Sequence, residues 1–504
     1  MKHGFLYVTV FFTGLCVTAI ELTASRFLAP FFGASIFIWA NVIGVVLIAL
    51  SLGYFIGGRL ADRFPEPKKL FGVILITGVL TDLIPLLGKP YLVFSSKLFS
   101  GSVPGIVFGS LVATLVIFAV PLFLLGMMSP WVIRIATKRV EEVGHIAGKV
   151  YGISTVGSII GVFLPVFFTI PFLGSQKTFL LFGSLLILIG ILGLQNFKKT
   201  WIVLMVSILA FVLPQDALKK DPFTIAQAET LYNYLRVNES PNKVRRLLVN
   251  EGRGVQSIYH PKKFLTGDYW DYATLLPILN PQGKKMLILG LAGGTSARAV
   301  SHYFPDISID AVEIDPKIIE FGERYFELDH ANLNIFPEDG RMFLKHSRKQ
   351  YDFIMVDVYA QGLSIPFHMA TVEFFEEVRN HLSENGIVMM NVATNKSTDT
   401  LENSPPIVLN LKNTFSKVFW ENRILKPERL NWLLQPQPGS YLFFGTFRRN
   451  KSIFAALPEQ RPSNLPPELQ TLFRAFKTFS KRTEHKADYT YFTDDKSSIE
   501  WTLP

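Results

Sequence analysis

The sequence predicts a multispanning α-helical membrane domain joined to an α/β Rossmann-like domain that opens with a small β-hairpin region. Three observations carry this reading. The first 214 residues hold successive apolar runs of about 20 residues, enough for a helix to cross ~30 Å of hydrocarbon. The basic residues of that half fall in short loops between the runs. From Met286 onward strands alternate with helices, and one strand after another ends on an acid.

At 504 residues the chain has room for two or three domains. A hydrophobic fraction of 49% and a mean hydropathy of +0.30 are high for a soluble protein. Up to Pro214, six acids stand against fifteen Lys and Arg, so this half carries nine of the ten net positive charges. Basic charge confined to loops between apolar runs reads as positive-inside bias, not as a nucleic-acid surface. Cys16 is the single cysteine and lies in an apolar run, which excludes a disulfide framework and a cysteine metal cluster. The first apolar run continues into Glu21 and is followed by further spans, so it reads as a helix of the domain and not as a cleaved signal.

The spans are expected near 5–25, 36–58, 70–88, 105–133, 150–173 and 178–195. A seventh run, 201–214, is short for a span and reads as interfacial or re-entrant. Gly53 with Gly57 and Gly157 with Gly161 form GxxxG pairs that let helices approach closely. Pro121, Pro130, Pro165 and Pro171 are expected to kink or end helices. Glu21, Arg26 and Asp82 fall in or at the ends of apolar runs, either as buried pairs and anchors or as functional groups. The segment from Gly57 to Arg63 resembles the loop between the second and third helices of major-facilitator transporters.

Arg59, Arg63, Lys68 and Lys69 follow span two; Arg134, Lys138, Arg139 and Lys149 follow span four; Lys198 and Lys199 follow span six. These loops share one side, expected to be the cytoplasm. Seven spans would place the second half outside and six would keep it inside. The cytoplasmic placement is favoured because a nucleoside site needs its cofactor pool. The domain boundaries follow: membrane domain 1–214, linker 215–245, soluble domain 246–504.

In the soluble half, 245–250 and 254–259 read as a hairpin within a small β region at 246–260. The Rossmann-like core is expected over 268–450. It starts with a helical stretch at 268–279, then strands at 286–291, 308–314, 353–358, 386–392 and 440–446. Helices are expected at 295–303, 316–327, 370–382 and 406–416. Gly290 to Gly294 put small residues where the backbone must pass close to a nucleoside or pack a strand against a helix. Glu313 at the next strand end fits a carboxylate accepting both ribose hydroxyls. Asp339-Gly340 follows a short third strand, where a carboxylate can take an adenine amino proton or simply cap a turn. Asp357 ends the strand after that, beside the same crevice. With no second glycine-rich half after Glu313, a dinucleotide is not expected.

These residues resemble the spermidine synthase family, aminopropyltransferases with a methyltransferase-like fold. The resemblance runs from about Leu247 to Val392 through Gln256, Tyr269, the Gly290 turn, Glu313-Ile314-Asp315, Asp339-Gly340 and Asp357. Thr493-Asp494-Asp495 is similar to a motif of multispanning relatives, so the chain looks like a membrane-fused spermidine synthase homologue. The resemblance implies that Gln256, Gly290, Gly294, Glu313, Asp339 and Gly340 hold the nucleoside and that Asp357 acts as base. Three positions depart from the family. Ala292 stands where the turn's acid would grip the cofactor amine, Ala360 where a second acid would follow the base, and Trp270 where His or Gln is usual.

The reaction implied is aminopropyl transfer from decarboxylated S-adenosylmethionine to an amine, releasing methylthioadenosine, with no metal. Tyr269, Trp270, Asp271 and Tyr359 would form the acceptor pocket, or serve as ordinary core. Methyl transfer from S-adenosylmethionine is one alternative. A non-catalytic transporter or sensor with a nucleoside-binding domain is another. The expected partners are the lipid bilayer, a small amine and a second copy of the chain, with no nucleic acid.

Overall fold

The computed structural model describes the chain except residues 1–2, 100–102, 196, 216, 220, 253, 360–364, 395–403, 428–439, 448–464, 483–490 and 496–504. It divides into two compact units. Met1–Pro222 with Gln227–Tyr234 forms one, and Phe223–Ala226 with Leu235–Pro504 the other.

The first unit is helical: α1 (His3–Phe32), α2 (Ile36–Arg63), α3 (Pro67–Leu83), α4 (Lys89–Leu98), α5 (Val103–Gly126), α6 (Met128–Ala136), α7 (Val143–Leu164), α8 (Ile170–Leu194) and α9 (Phe197–Val212). Five helical stretches among the described residues are long and apolar enough to cross a bilayer. The fifth, Val140–Leu194, has 55 residues, about twice what a bilayer needs, and Gly174 bends it at φ 80 and ψ 165. A conformation of that kind belongs to glycine. Pro121 lies within α5, whereas Pro85 and Pro165 each open a π-helical turn inside a longer stretch.

Glycines set the helix pairing. A side chain at Gly157 or Gly161 would strike the α1 backbone at Phe11 and Leu15, so α1 and α7 lie in close contact and run parallel. Gly53 and Gly57 face Phe123, Gly126 and Met127 in the same way. A third seam, between α3 and α8, uses Gly78, Gly183, Gly190 and Gly193, and here the partners run antiparallel. Asp62 pairs with Arg134 at 3.0 Å, joining the last turns of α2 and α6.

A four-stranded sheet follows, β1 (Thr224–Glu229), β2 (Tyr234–Glu239), β3 (Arg245–Val249) and β4 (Val255–Tyr259) in that order; its Gln227–Tyr234 stretch falls in the first unit and the remainder in the second. The stretch read as a linker therefore carries β1 and β2. Their alternation is short and interrupted by polar residues, which hid them in the sequence. After α10 (Leu275–Leu279) come β5 (Lys285–Leu289), α11 (Thr295–Tyr303), β6 (Ser308–Val312), α12 (Pro316–Phe326), β7 (Leu333–Phe336), α13 (Gly340–His346) and β8 (Tyr351–Val356). Then follow α14 (Val372–Asn380), β9 (Leu382–Ala393), α15 (Pro406–Val418), β10 (Glu421–Leu425), β11 (Ser440–Thr446), α16 (Pro467–Phe479) and β12 (Lys481–Arg482). The large sheet runs β12-β10-β11-β9-β8-β5-β6-β7.

From β9 to β7 the strands are parallel; β11 runs antiparallel between β9 and β10, and β10 pairs antiparallel with β11. Met286 to Leu289 and Phe353 to Val356 are buried without a break, as strands covered on both faces must be. Two apolar layers flank the sheet, one including Met286, Ile288 and Phe473, the other Leu287, Ile354 and Phe415. The chain leaves β5 toward β6 on one side and returns as β8 on the other, so a topological switch point lies between β5 and β8.

Candidate active site

The register fixes which strand ends meet. Leu289 pairs with Val312 on one side and Val356 on the other, so Gly290, Glu313 and Asp357 emerge together at the carboxyl edge. Gly290 has φ +87, and a Cβ there would fall on the carbonyl oxygen of Asp357. Gly294 has φ +85, and its Cβ would run into Leu328. Ala292 between them holds φ +49, a left-handed backbone uncommon for a residue with a side chain. The turn is docked on the small sheet: Gly293 N–H donates to Ser257 Oγ at 2.8 Å, and Ile258 N–H to Thr295 Oγ1 at 2.8 Å. Gln256 is one residue from that contact, and it is Ser257 that touches the turn.

Glu313 is buried. Its carboxylate accepts from Ala292 N–H at 2.9 Å and Asp315 N–H at 3.1 Å, which fixes its position beside the turn. Burial pushes its pKa up to about 7 against these hydrogen bonds. Asp315 in turn caps α12 by accepting from Lys317 N–H at 3.0 Å. Asp339 caps α13, with Oδ1 accepting from Arg341 N–H at 3.0 Å and Met342 N–H at 2.9 Å. Its Oδ2 lies 3.8 Å from His368 Nε2, and that neighbour holds the Asp339 carboxyl below its ordinary range. Gly340 is the first residue of α13, with Met369 and Leu289 around the place a Cβ would take.

Asp357 is the centre of the second cluster. Asn391 Nδ2 donates to its Oδ1 at 2.9 Å, and the Tyr269 hydroxyl bonds to the same carboxylate. Desolvation raises its pKa to about 6, these two hydrogen bonds oppose the rise, and nearby Asp268 adds to it. Tyr359 spends its hydroxyl on β9, donating to Asn391 O at 2.9 Å and accepting from Ala393 N–H at 2.8 Å. Asn391 Oδ1 is buried and has no hydrogen-bond partner among the described residues.

Two acceptor assignments need correction. Asp271 is fully buried, and its carboxylate is consumed by Thr266 N–H, Thr266 Oγ1 and Gly267 N–H at 2.6–2.9 Å. It closes the loop that runs from Thr266 to Asp271. Trp270 is 2% exposed and packs in the core, its ring 4.2 Å from that of Tyr269. An acid that does act electrostatically on Asp357 is Asp268, which accepts from Tyr269 N–H at 2.7 Å. Asn391 was also missed, although a lone amide within the apolar run from Ile387 to Ala393 was its signal. Ala360 lies outside the described residues.

Residues 274–425 match the spermine/spermidine synthase domain. The chain carries a spermine/spermidine synthase domain. It is 40% identical over 166 residues to a probable polyamine aminopropyl transferase of Bifidobacterium longum (strain NCC 2705), a match covering 33% of this chain and 36% of that relative. The chain thus spans about a third of that relative's length. Polyamine aminopropyltransferase 2 of Aquifex aeolicus (strain VF5) is 24% identical over 405 residues, 76% of this chain and 78% of its own. That share is more than the residues after Pro222 supply, so the likeness extends into the helical unit. A probable spermidine synthase structure from Corynebacterium glutamicum ATCC 13032 superposes at a TM-score of 0.39 and 16% identity, covering 56% of this chain and 99% of that one.

Proposed function

We propose that this chain is a membrane-integrated aminopropyltransferase whose spermine/spermidine synthase domain transfers the aminopropyl group of decarboxylated S-adenosylmethionine to an amine. The observation that carries the reading is the Asp357 cluster at the switch point, one turn from Gly290 and Glu313. Glu313, already oriented by two backbone N–H groups, would accept the two ribose hydroxyls. Asp339 has Oδ2 free of the capping bonds and would take the adenine amino group. Glycine at 290 and 293 lets the nucleoside approach the backbone.

Asp357, with a pKa near neutrality, would accept a proton from the acceptor ammonium. The freed amine lone pair attacks the aminopropyl carbon bonded to the sulfonium. A C–N bond forms, the C–S bond breaks, and its electron pair returns to sulfur as neutral methylthioadenosine leaves. The sulfonium supplies activation, and the protein supplies position and one base. Asn391 Oδ1 and the Tyr359 ring line the acceptor side, where a cation finds an acceptor atom and a π-face.

Ala292 favours a second reading. With no acid on the turn, nothing there grips a cofactor amine or repels a carboxylate, so intact S-adenosylmethionine and methyl transfer fit the same cradle. Purified full-length protein given either cofactor and a panel of amines separates the two by mass. Methylthioadenosine from the decarboxylated cofactor supports aminopropyl transfer, whereas S-adenosylhomocysteine supports methyl transfer. Binding without turnover, unchanged in Asp357→Asn, would overturn both.

A further inference from the structure

The direction of α9 bears on where the soluble unit resides. Ser184 of α8 meets Ser207 of α9, and Lys177 lies over the Phe211 ring at 5.7 Å. Leu204 packs with Ile187 and Ile191. Partners that fall in α8 as they rise in α9 make the two helices antiparallel. From Ser175 to Leu194, α8 covers ~30 Å at 1.5 Å per residue, and the 16 residues of α9 retrace about 24 Å of it. The short run at 201–214, read from sequence as interfacial or re-entrant, thus travels back to the end of α8 where Ser175 lies.

The segments beyond α9 are fastened at that same end. Lys219 Nζ donates to Pro30 O at 3.4 Å, near the close of α1. Arg26 donates to the carbonyls of Leu231 and Tyr232, the latter at 2.7 Å. Glu229 accepts from Ser175 N–H at 3.0 Å and Oγ at 3.1 Å, at the Gly174 bend. All of these partners belong to the helical unit.

The basic loops lie at the other end. The helix ends and turns around the α2–α3, α6–α7 and α8–α9 junctions hold ten Lys and Arg, whereas the end bearing Pro30 and Ser175 has Arg26, Lys89, Lys97 and Lys177. Basic loops stay in the cytoplasm. We infer that the chain crosses the bilayer a seventh time through α9, and that the soluble unit with its Asp357 crevice faces the non-cytoplasmic side. The nucleoside and amine used there are then drawn from that side or delivered across the helices.

The test is cysteine accessibility in the full chain. Wild type, whose one cysteine is buried Cys16, serves as the blank. Glu323→Cys marks the soluble unit and Glu141→Cys a basic loop, both at exposed positions. Spheroplasts are treated with a membrane-impermeant maleimide before and after permeabilisation. The expected result is labelling of E323C in intact spheroplasts and of E141C only after permeabilisation. Protection of both sites, labelling of both, or the reverse pattern overturns the inference. Protease added to spheroplasts of the wild type provides a variant-free check, since it should cleave the soluble unit and spare the basic loops. The transfer reaction is assayed in detergent, where sidedness has no effect, so either reading can fail alone.

Discussion

At the scale of single residues, burial holds Asp357 and Glu313 of the candidate site near neutrality, and both assignments predict a pH response. Asp357 works as a base only when ionised, so kcat/KM should fall as pH drops through about 6. Asp357→Asn should abolish that limb and cost ~10²–10⁴-fold in turnover. Asn391→Ala removes a donor that favours the ionised form, so the limb should move to higher pH, a readout that simple loss of packing does not produce. Glu313 starts near 7, and ribose hydroxyls donating to it would lower its pKa. Nucleoside binding should therefore release a proton at neutral pH and weaken as pH falls below about 7. Calorimetry in buffers of different ionisation enthalpy measures that proton directly. The carboxylates at strand ends were legible because a parallel sheet delivers them at a known place. Asp271 misled because spacing cannot tell an acid facing a crevice from one consumed by its own loop.

At the scale of elements, the Thr493-Asp494-Asp495 motif gains a physical role. Arg341, 8% exposed and two residues after Asp339, is held by Glu377 at 2.9 Å, Asp494 at 2.8 Å and the His368 carbonyl at 2.8 Å. Thr371 Oγ1, the cap of α14, donates to Asp494 Oδ1 at 2.7 Å. Asp494 thus ties the start of α13 to the start of α14. Asp494→Asn should destabilise the soluble unit by about 1–3 kcal/mol, seen as a lower thermal midpoint, and should raise KM for the nucleoside more than it lowers kcat. In the helical unit, Gly157→Leu should separate α1 from α7, because the new side chain meets the Phe11 backbone. Loss of the monodisperse peak in detergent is the expected outcome. Both GxxxG pairs named from sequence lie at helix contacts. The third seam, through Gly78, Gly183, Gly190 and Gly193, went unread because its α8 glycines are spaced by seven and three.

At the scale of the whole molecule, the chain joins an apolar helical unit to a spermine/spermidine synthase domain. Labelling from one side of the membrane tests which compartment that domain meets. The charge asymmetry of the helical unit was visible in the sequence, and it is this asymmetry that gives the direction of α9 its meaning.

By itself, the sequence determined the two-part architecture, the positions of the central strands along the chain and the acids at their ends. Those features are written in local periodicity, in hydrophobic length and in the fixed geometry of a parallel sheet. Only the tertiary structure decided the rest. It showed that the supposed linker pairs as β1 and β2, that Asn391 and Asp268 stand with Asp357 while Asp271 does not, and that α9 runs back along α8. Each of these depends on contacts between residues far apart in the chain or on which neighbour a side chain spends its hydrogen bonds, and no local pattern encodes either.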